Sequence, residues 1–251
     1  MARPSSRSPL YIPADANYLS EMECALSQCS AILEEGSFSV NLGGRTLVLA
    51  RSADLESLWE AMGAEDFEDE RIPYWTELWP GSLVLAEWLS RRDLSGKLTL
   101  DLGCGLGLTA IVSAERGAPV IAADYEFAAL KHCVCNARLN SAPAPWLVQA
   151  DWRRPPFHYK SFDIIQGGDI IYERRAIEPV AKLLEHSLKP DGVAWIADPG
   201  RGPCDEFIET LRGDGYYCEV MFRRRVASPH SSEPLIGVAV WEIRKPSPGA
   251  K

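Results

Sequence analysis

Residues Leu98–Ala110 read LTLDLGCGLGLTA, with glycines at positions 103, 105 and 107. The apolar run before the glycines predicts a buried strand, and the run after them begins a helical pattern. Glycines between such elements let a ligand approach the backbone closely and leave amide N–H groups available to bind it. The stretch therefore predicts a strand, a ligand-binding loop and a helix, and a nucleotide-containing cofactor is the first candidate ligand.

Short apolar segments alternate with amphipathic segments on the C-terminal side of this loop. Strands are predicted at PVIAAD, WLVQAD, FDIIQGGD and GVAWIAD. Strands that are apolar throughout are typical of a parallel sheet buried on both faces. The last two predicted strands, YYCEVMFRRRVA and LIGVAVWEIRK, are joined by SPHSSEP, which is too short for a crossover helix, so they must pair antiparallel. We expect an α/β fold with a doubly wound seven-stranded sheet, mostly parallel, ending in an antiparallel C-terminal pair.

The chain before this domain follows a different pattern. A helix is predicted over about residues 16–35, followed by the hairpin FSVNLGGRTLVLA, the short helix DLESLWEAM and the acidic linker GAEDFEDER. We therefore predict an N-terminal extension over residues 1–71 and an α/β domain over residues 72–251.

Composition restricts the partners and the compartment. The 251 residues carry a net charge of −9, which disfavours nucleic acid and anionic membranes and suits a protein partner with a basic or lysine-bearing surface. No apolar run is long enough to span a bilayer. Seven cysteines at irregular spacing favour a reducing compartment over a disulfide framework, and the cytoplasm is the expected location. Neither metal-ligand spacing nor an oligomeric state is indicated.

The spacing of the glycines argues against one common nucleotide loop and excludes another. A dinucleotide-binding loop needs G-x-G-x-x-G, and Leu108 stands where the third glycine would be. A Walker loop needs Gly-Lys-Ser or Gly-Lys-Thr, which is absent from this stretch. The spacing therefore favours a cofactor other than a dinucleotide.

DLGCGLG resembles motif I of the class I, seven-stranded, S-adenosylmethionine-dependent methyltransferases. The resemblance implies S-adenosyl-L-methionine as cofactor, bound by the glycine loop. Asp124 ends the next strand, where a carboxylate accepts hydrogen bonds from ribose hydroxyls. The resemblance also places Tyr125 in the cofactor site, and it gives Asp151 and Trp152 the recognition of adenine. The expected antiparallel final pair is typical of the same family.

Two further segments resemble a narrower branch. PYWTELWPGSLVLAEWL at residues 73–89 and GGDIIYE at residues 167–173 are similar to segments of methyltransferase family 16, a lysine methyltransferase branch that includes the enzyme of the electron-transfer-flavoprotein beta subunit. The similarity covers about residues 72–198. It implies a protein lysine side chain as methyl acceptor.

Alternatives stay open for several cofactor residues. Trp79 precedes Pro80, which suits a first helical position, and the resemblance puts Trp79 beside the methionine part of the cofactor; packing in the core is the alternative. Tyr74 and Trp75 either line a substrate channel or close the core. Asp101 either binds the amino-acid end of the cofactor, as the resemblance implies, or caps the helix and orients the loop.

Asp169 and Tyr172 are the candidate catalytic residues, and Asp169 is also a candidate cofactor ligand. Both follow a strand whose carboxyl end lies where ligands bind in open α/β sheets. A lysine acceptor must lose a proton, and an aromatic channel would lower its pKa by desolvation. Asp169 and Tyr172 would orient the amine and help its proton leave. Capping of the helix near Arg174 is the alternative role for the carboxylate.

Two other classes of function remain in competition. A methyltransferase of RNA or of a small-molecule amine would share the fold, but the net charge disfavours RNA and GGDIIY replaces the NPPY-type motif of enzymes that methylate base amino groups. A non-catalytic cofactor-binding scaffold would not need the Gly-Asp-x-x-Tyr segment. Protein methylation is the preferred interpretation.

Overall fold

A computed structural model describes Cys29, Ile32 and residues 36–51, 73–227 and 235–245. The predicted short helix, the acidic linker and the loop SPHSSEP lie outside the described residues, as does most of the predicted N-terminal helix, of which Cys29 and Ile32 are helical. The predicted division between residues 71 and 72 therefore stays a prediction.

The hairpin is present as predicted. Strands β1 (Ser37–Leu42) and β2 (Arg45–Ala50) pair antiparallel, and Gly43 and Gly44 form the turn with φ of 57° and 95°. Positive φ at both turn residues matches the twist of a two-residue hairpin, which explains the Gly-Gly pair.

The central sheet has seven strands: β3 (Thr99–Leu102), β4 (Val120–Asp124), β5 (Trp146–Gln149), β6 (Phe162–Gly168), β7 (Leu188–Asp198), β8 (Tyr217–Val226) and β9 (Ile236–Arg244). Their order is β5-β4-β3-β6-β7-β9-β8. The first five strands are parallel, and β9 lies antiparallel between β7 and β8. The predicted doubly wound sheet and its antiparallel C-terminal pair are confirmed.

Within residues 73–227, the α-helices that cover the sheet are α1 (Pro80–Leu89), α2 (Leu108–Glu115), α3 (Phe127–Leu139), α4 (Ile177–Ser187) and α5 (Gly202–Gly213). Buried side chains form two clusters, one shared by α1, α2, α3 and the hairpin, and the other by α4 and α5. Successive strand residues alternate between them: Ile121 belongs to the second cluster and Ala122 to the first. The sheet is therefore buried on both faces.

Two details differ from the sequence prediction. Strand β7 begins at Leu188, four residues before the predicted start at Gly192, because Leu188 pairs with Phe162 beyond an irregularity in the ladder. Cys29 and Cys135 form a disulfide, whereas the sequence favoured free thiols. Cys135 lies on helix α3, which brings it to Cys29 in the segment before the hairpin.

The strand order places the residues predicted for the site near one another. The chain moves outward from β3 through β4 to β5, then returns to place β6 on the other side of β3. The carboxyl ends of β3 and β6 therefore border a crevice at the point where the winding reverses. Among the described residues no helix is both long and apolar enough to cross a membrane.

Candidate active site

A cavity of about 590 Å³ lies at the carboxyl edge of the sheet. Its walls contain ten of the eleven residues predicted from the sequence: Trp79, Gly103, Gly105, Gly107, Asp124, Tyr125, Asp151, Trp152, Asp169 and Tyr172. Tyr74 and Trp75 line it as well. The structure thus brings residues spread over almost one hundred positions of the chain into one crevice.

The three glycines of the loop all have positive φ, at 66°, 49° and 85° for Gly103, Gly105 and Gly107. A Cβ on Gly105 would lie 3.5 Å from the nearest atom, the carbonyl oxygen of Trp75, so that side of the loop has space for a side-chain atom. A Cβ on Gly107 would lie 2.6 Å from the Sγ of Cys133 on α3. Gly107 is therefore required by the contact between α2 and α3, while Gly103 and Gly105 shape the cavity wall.

Asp124 fastens the loop to the end of β4. Its Oδ2 accepts a hydrogen bond of 2.9 Å from the Gly105 N–H, and its Oδ1 accepts one of 3.0 Å from the Glu126 N–H. Burial raises the pKa of Asp124 to about 6, against the effect of these backbone donors. Each oxygen keeps a second lone pair for a hydroxyl donor in the cavity.

Asp101 is not among the residues that line the cavity, and its role as a cofactor ligand stays a prediction. The Thr109 hydroxyl lies 2.8 and 2.9 Å from its two carboxylate oxygens, and the Gln166 amide donates to Oδ1 at 3.0 Å. These partners hold Asp101 behind the loop, against the first turn of α2. The alternative in which Asp101 orients the loop fits this position.

Asp151 and Trp152 form the wall below Gly103. The Trp152 ring lies 3.2 Å from where a Gly103 Cβ would be, and its Nε1 is buried with no hydrogen-bond partner among the described residues. The Asp151 carboxylate is held by Arg153 Nε at 2.9 and 3.0 Å. An apolar ring beside a carboxylate suits a flat heterocycle that carries an amino group.

Asp169 anchors the opposite wall. It has φ of 58°, and its carboxylate accepts hydrogen bonds from the Gly81 N–H, in the first turn of α1, and from Arg201. Burial raises the pKa of Asp169, and the charge of Arg201 opposes that rise. Asp169 does cap a helix, but the helix is α1 and not the segment at Arg174 that the sequence suggested.

Arg201 was missed by the sequence analysis. It lines the cavity, bridges Asp169 and Asp198, and lies 5.9 Å from the centre of the Trp79 ring. The only indication of Arg201 in the sequence is its position just after the carboxyl end of β7, in the segment ADPGRG. That signal was weak because the sequence does not reveal which carboxylate faces a cation across the crevice.

Three aromatic rings form a row along this wall. Tyr74 meets Trp79 at 5.6 Å and Tyr172 at 5.4 Å between ring centres, both edge to face. The Trp79 Nε1–H donates to the Tyr74 carbonyl at 2.7 Å, and Trp79 is the N-cap of α1 with Pro80 in its first turn. Burial, followed by the charge of Glu173, raises the pKa of Tyr172 to about 12. Tyr172 therefore keeps its proton at neutral pH.

Comparisons with known proteins agree with this geometry. Residues 99–192 match a family described as a methyltransferase domain. The chain is 31% identical over 139 residues to the electron transfer flavoprotein beta subunit lysine methyltransferase of Danio rerio, covering 53% of each chain. It is 34% identical over 119 residues to the histone-arginine methyltransferase METTL23 of Mus musculus, covering 43% of this chain and 46% of that one. The matches thus span about half the length of these curated relatives.

A solved structure shows the same fold. The ribosomal protein L11 methylase of Lactobacillus delbrueckii subsp. bulgaricus superposes with a TM-score of 0.52 at 21% identity, over 83% of this chain and 99% of that one. In its fold and over residues 99–192, the chain is similar to the class I S-adenosylmethionine-dependent methyltransferases. Within that class the chain is similar to methyltransferase family 16, as the sequence predicted.

Proposed function

We propose that this protein transfers a methyl group from S-adenosyl-L-methionine to a lysine side chain of another protein. One observation carries the proposal: a single cavity joins the glycine loop and Asp124 on one side to Asp169 and the aromatic row on the other. A donor held by the first wall would present its reactive end to an acceptor held by the second. Positioning of donor and acceptor supplies most of the rate acceleration in methyl transfer, because this reaction needs little covalent catalysis.

The residues of the first wall fit the cofactor. Asp124 offers two carboxylate oxygens to ribose hydroxyls, and the Trp152 ring, which lines the cavity, offers an apolar face to adenine. Tyr125 and Asp151 complete this side. Trp79, at the start of α1, would pack beside the methionine part. When bound, the cofactor supplies an electrophilic methyl group on a sulfonium centre.

The residues of the second wall would hold and orient the amine. A lysine ammonium has a pKa of about 10.4 in water, so entry into the cavity beside Tyr74 and Tyr172 would favour its neutral form by desolvation. Tyr172 keeps its own proton, and the Asp169 carboxylate is already bound to Arg201 and Gly81. We therefore assign both residues to orienting the amine, whose proton would leave to solvent.

A protein substrate fits the charge and the relatives. The net charge of −9 favours a lysine-bearing surface over nucleic acid. The Danio rerio relative is named for a lysine substrate. The METTL23 relative makes an arginine side chain the second candidate acceptor, because it is named for arginine and matches at 34% identity.

We also propose a cytoplasmic location. Cys104, Cys133, Cys204 and Cys218 are free in the structure, which suits a reducing compartment. The Cys29–Cys135 disulfide favours an oxidising compartment instead, since glutathione keeps most cytosolic cysteines reduced.

Radiolabelled methyl transfer tests the acceptor. The purified protein is incubated with labelled donor and fractionated lysate from cells lacking the gene, and the product is then digested with protease or nuclease. We expect a protease-sensitive band in the cytosolic fraction, and mass spectrometry should place the methyl group on lysine. Label on arginine would support the second candidate. Label in RNA or in small molecules would overturn the protein substrate, and label confined to organelles would overturn the location.

The pH dependence of cofactor binding tests Asp124. An ionised carboxylate accepts a hydroxyl hydrogen bond better than a protonated one, and the pKa of Asp124 is about 6. Affinity for S-adenosylhomocysteine should therefore rise as pH increases from 5 to 7 and level off above that, as measured by calorimetry.

Asp124→Ala is the matched variant for that titration. It should weaken binding at pH 7 by at least about tenfold, since a hydrogen bond to a charged group contributes about 1.5–3 kcal/mol. It should also remove most of the pH dependence. Wild-type affinity in this variant would exclude Asp124 from the cofactor site.

A further inference from the structure

Asn136 is fully buried on α3 and joins two parts of the chain that the sequence assigned to different domains. Its Oδ1 accepts a hydrogen bond of 2.7 Å from the Ala50 N–H, and its Nδ2 donates to the Ala50 carbonyl at 3.1 Å. The same Nδ2 donates to the Leu106 carbonyl at 2.9 Å. One amide thus holds the edge of the hairpin and the middle of the glycine loop.

The loop contact is placed where it controls the cavity. Leu106 lies between Gly105 and Gly107 and lines the cavity wall. The Asp124 carboxylate holds the Gly105 N–H and the Cys104 carbonyl holds the Gly107 N–H at 2.8 Å, while Asn136 holds the Leu106 carbonyl between them. A buried carbonyl that loses its donor costs about 1–3 kcal/mol, which the loop can avoid by moving toward water.

Asn140 lies one helical turn further along and provides a natural comparison. It binds the hairpin in the same two-point manner, with the Val48 N–H donating to its Oδ1 at 2.9 Å and its Nδ2 donating to the Val48 carbonyl at 2.7 Å. Its remaining bond goes to the Asn136 carbonyl on α3 itself, at 2.8 Å. Asn140 therefore docks the hairpin without touching the loop.

We infer that Asn136 is a positioning residue for the cofactor loop, and that the N-terminal hairpin supports cofactor binding through it. The inference rests on the proposed function, because it takes the cavity beside Leu106 to be the cofactor site. In this arrangement Ala50 fixes the orientation of the Asn136 amide, and the amide fixes Leu106. The hairpin is then part of the cofactor-binding unit and not a separate module.

Paired alanine variants separate this role from simple docking. Asn136→Ala and Asn140→Ala each remove two hydrogen bonds to the hairpin, so both should lower the melting temperature by several degrees. Only Asn136→Ala removes the bond to the loop. It should weaken binding of S-adenosylhomocysteine by about tenfold or more, measured by calorimetry well below both melting temperatures, while Asn140→Ala stays within about threefold of wild type.

Hydrogen exchange supplies a readout that does not depend on the ligand. The amides of residues 103–107 should exchange faster in Asn136→Ala than in the wild type, and at the wild-type rate in Asn140→Ala. If Asn136→Ala fails to fold, Asn136→Ser is measured in the same way. Serine leaves a smaller void than alanine, but its side chain is too short to reach both Ala50 and Leu106.

The outcomes distinguish the two proposals. If Asn136→Ala and Asn140→Ala have the same cofactor affinity and the same exchange rates as each other, the role of Asn136 is overturned. This holds whether both variants behave like the wild type or both are impaired to the same extent. If the wild-type protein itself does not bind S-adenosylhomocysteine, the proposed function fails, and the exchange comparison still decides whether Asn136 positions the loop.

Discussion

Replacing Gly107 by alanine is expected to lower the affinity for S-adenosylhomocysteine by on the order of a hundredfold or more. The new Cβ would lie 2.6 Å from the Sγ and 2.8 Å from the Cα of Cys133. The second atom belongs to the backbone of α3, so a change of rotamer cannot relieve the contact. Helix α2, whose N-cap is Gly107, would have to move and take the glycine loop with it.

A control variant separates this contact from backbone strain. Gly96 also has positive φ, at 69°, but a Cβ there would meet nothing within 4 Å. Gly96→Ala should therefore cost about 1–2 kcal/mol of stability, the usual penalty for a left-handed residue, and leave cofactor affinity unchanged. Calorimetry and thermal unfolding of both variants give the comparison. Wild-type binding by Gly107→Ala would show that the loop does not depend on the contact between α2 and α3.

Replacing Asp169 by asparagine is expected to reduce turnover by on the order of a hundredfold, with a smaller loss of cofactor affinity. Asparagine has the same shape and tolerates a φ of 58°, so the backbone can stay in place. The carboxylate now satisfies two donors, the Gly81 N–H and the Arg201 guanidinium. An amide can accept from only one of them with its oxygen and turns its NH₂ toward the other.

Loss of that charge would affect both elements that Asp169 joins. Arg201 would keep only Asp198 as its ion-pair partner among the described residues, and the start of α1, with Trp79 and the aromatic row, would lose its anchor. Labelled methyl transfer gives the turnover, and calorimetry gives the cofactor affinity.

Asp163→Asn is the matched control for Asp169→Asn. Asp163 lies near the opposite end of the same strand, β6, where it pairs with Lys189 at 2.8 Å and is away from the cavity. This control should keep turnover within about twofold, because a partly exposed ion pair contributes little. Full turnover in Asp169→Asn would remove Asp169 from the catalytic machinery.

The sequence by itself determined the sheet, the loop and the edge at which the site forms. Apolar runs alternating with amphipathic helices require a parallel sheet, and the short final connection requires an antiparallel pair. Polar residues that follow successive strands, such as Asp124, Asp151 and Asp169, must then meet at one edge, because parallel strands end on the same side. These conclusions depend on local patterns, which is why they could be made without coordinates.

Only the tertiary structure decided which residues act on one another across that edge. Asp101 lies one residue before the end of β3, yet Thr109 and Gln166 hold it behind the loop. Arg201 reaches Asp169 over 32 residues, and Asn136 reaches Ala50 over 86. Such contacts depend on the packing of helices against the sheet, where a shift of about 1 Å makes or breaks a hydrogen bond, and no periodicity in the chain specifies it.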